Sequence, residues 1–239
     1  MNADLQYSFS LTTFSPSGKL GQISHALKAV QGAATSIGVR ARDGFVLVSE
    51  KKIENPLVEP ETIEKVCAVS ETIGMTYSGL GVDFRVLVKK ARKLAETYRV
   101  TYAEPEPVMV LVKELAEEVQ RFTQTGGVRP FGCSLLVAGL SHDGRFELYQ
   151  IDPSGSYYEW RATALGREFQ NARGFLEKRW EEDMLLEDAI HTAILTLKES
   201  HDGVLAPGNC EVGVLGGEFG PRFTLLTPEQ IAESLAEVE

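Results

Sequence analysis

The chain has 239 residues, 43% hydrophobic and 24% charged, enough apolar material for one large core or two small ones. Its formal charge of −10, from 24 Lys and Arg against 34 Asp and Glu, leaves no basic excess to neutralise phosphates and argues against a free-standing nucleic-acid binder. Apolar runs such as Cys133–Leu140 stop far short of the roughly 18 residues a membrane span needs, and the N-terminal stretch lacks the basic-then-apolar order of a signal peptide. Cys67, Cys133 and Cys210 are widely spaced, form no CxxC pair and read as buried reduced thiols.

Residues 1–16 are polar and rich in Ser and Thr, and read as an irregular arm; residues 17–239 show no linker or repeat and read as a single domain. A short helix follows the arm, with Ser17 as its N-cap and Leu20, Ile23, Leu27 and Val30 at helical spacing. Strands over 35–41 and 45–49 flank Asp43-Gly44, a hairpin signal. A second pair, 66–70 and 73–78, brackets Glu71-Thr72. Helices are expected over 83–99, with Leu87, Ala91, Leu94, Ala95 and Tyr98 on one face, and over 108–123, with Leu111, Leu115, Val119 and Phe122.

Strands return over 132–140, 146–151 and 157–162, with turns at Asp143-Gly144 and Asp152-Pro153-Ser154-Gly155. Of the next two helices, one buries Ala172, Phe175, Leu176 and Trp180. The other buries Leu186, Ala189, Ile190, Ala193, Ile194 and Leu197. Strands near 211–215 and 222–225 precede a last helix that opens on a capping box, Thr227-Pro228-Glu229-Gln230, and carries Ile231, Leu235 and Val238. Strands joined by tight turns pair antiparallel, and helices arriving in pairs form outer layers. The expectation is an α+β fold, two antiparallel sheets between helix layers.

No chemistry is legible from spacing alone. His25, His142, His191 and His201 show no metal-ligand spacing, and the glycine clusters fit neither GxGxxG nor a P-loop, so no metal and no cofactor are expected. No GxSxG elbow is present.

Four longer segments carry a resemblance. YSFSLTTFSPSGKLGQISHA (residues 7–26) closely resembles the N-terminal signature of proteasome alpha-type subunits. TQTGGVRPFGCSLLVAG (123–139) is similar to that family's Gly-Gly-Val-Arg-Pro-Phe-Gly segment. SGLGVDFRVLVKKAR (78–92) and DPSGSYYEWRATALG (152–166) also follow its pattern. The resemblance covers nearly the whole chain. It implies the four-layer αββα sandwich of the N-terminal-nucleophile hydrolases, with an extra N-terminal helix. It implies a place among seven alpha subunits in the outer ring of the 20S core particle, in the cytoplasm and nucleus. The partners would be neighbouring alpha subunits, the beta ring and the C-terminal tails of regulatory particles, with no nucleic acid and no membrane.

The resemblance also implies site residues. Tyr7, Ser8, Phe9, Pro16 and His25 match the gate region, although Ser24-His25 stands where the family has Glu-Tyr and Ser8 where an Asp is frequent. Ala33, Lys65 and Leu80 match the pocket between neighbouring alpha subunits, where the lysine pairs with the carboxylate of a regulator tail. The alternative is an active threonine peptidase, because beta subunits share the fold. Their nucleophile is a Thr four residues before a strand glycine, freed by propeptide cleavage so that its own amine acts as base. Here that glycine is Gly38 and the nucleophile position is Ala34, which has no hydroxyl. Thr35 would face the wrong side of a strand of period two. Glu50 and Lys65 stand near the framework carboxylate and lysine, and without a nucleophile they cannot transfer an acyl group. A binding module of the same fold outside the proteasome would have no reason to carry the N-terminal signature.

Overall fold

The computed structural model describes Ser10 and residues 12–53, 55–201 and 203–237. Asp43 and Gly44 turn the first hairpin, which joins β1 (Ser36–Arg40) to β2 (Gly44–Glu50) in register from Ser36↔Ser49 to Arg40↔Phe45. The chain then forms β3 (Val66–Ala68), β4 (Ile73–Gly79), α2 (Gly81–Tyr102) and α3 (Val108–Gln124), after an initial α1 (Gly21–Gln31). It continues through β5 (Cys133–Leu140), β6 (Phe146–Ile151), β7 (Tyr157–Trp160) and β8 (Ala162–Leu165). It closes with α4 (Phe169–Arg179), α5 (Leu186–Ser200), β9 (Cys210–Gly216), β10 (Thr224–Leu225) and α6 (Pro228–Glu237).

Two five-stranded antiparallel sheets result, in the orders β10-β9-β2-β1-β8 and β3-β4-β5-β6-β7. Strand alternation assigns the side chains to three cores. Phe45 and Leu47 of β2 meet Leu136 and Ala138 of β5 and Leu148 of β6 between the sheets. Val46 and Val48 point the other way, into the layer of α4, α5 and α6. Leu135 and Val137 of β5 do the same toward α2 and α3. The four-layer αββα sandwich is therefore present, and β2, buried along its whole length, is apolar from Phe45 to Val48 because both of its faces are covered. Phe223 links the two sheets: a Cβ on Gly74 of β4 would lie 2.2 Å from its ring and one on Gly213 of β9 would lie 2.3 Å from it, so the ring fits only where both residues lack side chains. It stacks on Phe45 with centroids 5.8 Å apart.

Three expectations need correction. Ser17 does not cap α1; Leu20 does, without a side-chain bond. Gly18 takes φ +76° and turns the chain instead, with its N–H on Ser15 O at 2.8 Å and the Ser15 and Ser17 hydroxyls 2.8 Å apart. The expected strand over 157–162 is two strands in different sheets: β7 pairs with β6 and β8 with β1, and the chain changes sheet at Arg161, whose carbonyl accepts from Arg40 N at 2.8 Å. Phe175 is half-buried, and Trp180 lies one residue past α4, held by Nε1–H donating to Arg40 O at 2.9 Å.

Other readings are met. The capping box forms, with Thr227 N donating to Gln230 Oε1 at 2.9 Å and Gln230 N to Thr227 Oγ1 at 3.4 Å. Val238 lies outside the described residues. All three cysteines are buried and unpaired, and burial pushes each thiol up to about 12.

Candidate functional site

At one end of the sandwich the segment entering β1 meets the ends of β2 and β4 and the start of β3. The backbone of Ala33, Ala34 and Thr35 is held at each carbonyl. Arg167 N donates to Ala33 O at 3.0 Å, Ser78 Oγ to Ala34 O at 2.7 Å and Glu50 N to Thr35 O at 2.9 Å. Gly166 makes the approach possible. Its φ is +103°, and a Cβ there would lie 2.7 Å from Ala34 O. Beside it the buried Glu50 carboxylate accepts from Arg167 Nη2 at 2.6 Å, Thr35 N at 3.3 Å and His201 Nδ1 at 3.1 Å. These donors satisfy a charge that would otherwise be costly to bury.

Lys65 sits across this segment. Its Nζ donates to Tyr77 O at 3.3 Å, an acceptor shared with Ser36 Oγ at 2.6 Å. The same ammonium stands 3.7 Å from the Tyr77 ring centroid, and Phe84 stacks on that ring at 4.1 Å. The residue is only 6% exposed. Burial pulls its pKa down to about 8 against the opposing pull of Glu211 and then Glu50. Glu211 holds the start of β3, accepting from Lys65 N at 2.7 Å and Val66 N at 3.0 Å, and its other oxygen accepts from Lys51 Nζ.

Leu80 is exposed and caps α2, with its N–H on Gly132 O at 2.9 Å. The Ser78–Ala34 bond places it near the half-buried Ala33. Ala33, Lys65 and Leu80 therefore belong to one end of the sandwich, tied together through β4. A groove of about 690 Å³ opens on the far side of Tyr77, among Cys67, Val82, Phe84 and Val88. None of the three expected residues lines it.

Spacing did not reveal the Asp83–Arg129 pair. Arg129 forks onto both Asp83 oxygens at 2.6 and 2.8 Å, and Gly132 N donates to Asp83 Oδ2 at 2.8 Å. Burial pushes the Asp83 carboxyl up, but these bonds outweigh it and hold the group below its ordinary value. The pair fastens the start of α2 to the entry of β5, beside Leu80. Arg129 and Asp83 stand in two of the segments that carry the resemblance, 123–139 and 78–92, where neither was singled out.

The gate residues are less defined. Tyr7, Ser8 and Phe9 lie outside the described residues. Pro16 is exposed in the turn before α1, and His25 is exposed on α1. No contact among the described residues joins the two.

At the expected nucleophile position stands Ala34, which has no hydroxyl, and the segment ahead of it is helix α1. That helix packs on β4 and β5. Residues 30–215 match the family model described as proteasome subunit, and residues 7–29 match the model for the N-terminal signature of the proteasome A subunits. The chain belongs to the proteasome alpha-type subunit family. It is 56% identical over 236 residues to the proteasome alpha type-2-A subunit of Arabidopsis thaliana, covering 99% of each chain. To the proteasome alpha type-2 subunit of Saccharomyces cerevisiae it is 50% identical over 244 residues, covering 96% of this chain and 98% of the relative. To the alpha type-2 subunit of Dictyostelium discoideum it is 50% identical over 232 residues, covering 97% and 98%. Within the alpha-type family, the match to the N-terminal signature spans α1 up to Ala29, so most of the helix ahead of Ala34 belongs to that shared signature.

Proposed function

We propose that this alpha-type subunit is a non-catalytic member of the outer ring of a 20S core particle, flanked by other alpha subunits above a beta ring. In this reading it gates substrate entry and receives regulator tails, in cytoplasm and nucleus. The observation that carries the non-catalytic part is Ala34. The fold supplies a carboxylate at Glu50 and a lysine at Lys65, and Ala34, at the expected nucleophile position, has no hydroxyl. Acyl transfer needs the nucleophile that this site lacks. A covalent threonine-directed probe and fluorogenic peptides, applied to the purified chain, should give no labelling and no turnover. Labelling at any residue of this chain would overturn the reading.

The gating part assigns Tyr7, Ser8, Phe9 and Pro16 of the arm (residues 1–16) and His25 of the single domain (residues 17–239) to the entry channel. This assignment is supported by the match of residues 7–29 to the family's N-terminal signature. Deleting residues 1–13 should raise basal peptide hydrolysis by the assembled particle, most clearly where the neighbouring subunit's arm is also removed. Unchanged entry rates in that double deletion would remove the arm from the gate. The docking part assigns Ala33, Lys65 and Leu80 to the tail pocket. It is supported by their convergence at one end of β4.

A further inference from the structure

The connection between α2 and α3 carries a carboxyl group with nothing to bond to. Glu106 is 2% exposed, and neither of its carboxyl oxygens has a hydrogen-bond partner. It stands in Glu104-Pro105-Glu106-Pro107, immediately before α3. Ala103, just ahead of this stretch, ends α2 in the left-handed region at φ 59°, a strained conformation for a residue with a Cβ. Its N–H caps Arg99 O at 2.9 Å. Pro105 and Pro107 fix the backbone on either side of Glu106. The connection is stiff, and Glu106 reaches water only if the chain moves with it.

Among the described residues no compensating cation acts on this group. From α3, Glu114 is the charged group that acts on Glu106. From α2, Tyr98 is in the field of Glu104, Tyr102 and Glu106, and its hydroxyl lies 3.4 Å from Glu104 Oε1. Arg99 of α2 is already forked onto Glu96 at 2.9 and 2.5 Å. A carboxylate ion at Glu106 would lose its water, gain no donor and face a second carboxylate. Burial first, and Glu114 second, push the carboxyl up to about 7.

We propose that Glu106 is a proton-binding site that latches the α2–α3 connection, packed while the carboxyl is neutral and released when it ionises. On release, the proton goes to water and the carboxylate follows it to the surface, drawing Ala103 to Pro107 out of place. The freed end of α2 carries the exposed Val100 and Tyr102. The packed form binds the proton more tightly than the open form. Its advantage is therefore complete below the ordinary carboxylate range and is lost as pH rises toward 7.

Hydrogen exchange of the full chain tests this, read on peptides covering residues 99–110 at pH 5 and pH 8 and corrected for intrinsic rates. Protection is expected to fall by about one to two orders of magnitude in the wild type. It should stay level in Glu106→Gln, whose amide is neutral throughout. An equal fall in Glu106→Gln, or none in the wild type, overturns the proposal. If that variant does not fold, a ¹³C titration of the Glu106 carboxyl in the wild-type chain decides. A midpoint near 7 supports the latch and one near the ordinary 4.5 overturns it.

Discussion

Lys65→Ala should weaken docking of a regulator whose tail uses this pocket by roughly tenfold to hundredfold at that site, the loss expected for one charge-assisted contact. Avidity will dilute the effect where several tails bind at once. Alanine also opens space beside Tyr77, so Lys65→Met is the better control. It keeps most of the volume, removes the ammonium and should lose docking without loss of fold. The pH dependence is a second signature. Burial holds the free Lys65 ammonium at about 8, so the site is charged below that value and loses its proton above it. A docked carboxylate raises that value again, so docking takes up a proton. Affinity should be level below about 8, fall as pH rises through that range, and show no such fall in Lys65→Met. Binding isotherms that overlay for wild type and both variants, with every regulator tried, would take Lys65 out of the pocket.

Leu27→Asp is expected to leave the subunit folded and exclude it from rings. Ala26 and Val30 are buried on α1, yet neither belongs to the three cores that hold the sandwich together. Leu20, Ile23 and Leu27 remain half-buried in the single chain. So short a helix needs packing from outside itself to persist. A charge at Leu27 in a desolvated contact costs several kcal/mol, on the order of 2–7, enough to prevent association. Leu27 also lines a small cleft with Phe169 and Arg173, so part of the change falls on the subunit itself. Circular dichroism separates the two effects from co-purification with partner subunits. Normal incorporation would refute the assembly role, and global unfolding would place α1 in the subunit's own core.

The sequence was most legible where structure is local. Asp43-Gly44 and Thr227 to Gln230 specify a turn and a cap from neighbouring residues alone, and both formed. Ser17 misled because Gly18, one residue later, adopts a left-handed φ that a helix cannot continue. The strand over 157–162 looked unbroken because nothing in the apolar pattern says which sheet a residue joins. At the site, Ala34, Glu50 and Lys65 were found through the family resemblance. Their partners were not: Arg167 and His201 reach Glu50 across 117 and 151 residues, and Glu211 reaches Lys65 across 146. Pairings at such separation leave no periodic trace. Glu106 was hidden for another reason, since a glutamate between two prolines reads as an exposed loop.

The ring of Phe223, seated against Gly74 and Gly213, makes closure of the two leaves wait for the end of the chain. During synthesis every strand but β10 precedes Phe223, and until it arrives the slot between the two glycines stays empty, bordered by the Phe45 ring. Contacts spanning so much sequence form late. A chain stopped before Phe223 would lack β10 and α6 as well as this ring, and would expose the apolar slot between the leaves. Such a truncated chain would show at its surface a slot that the finished protein fills with the Phe223 ring.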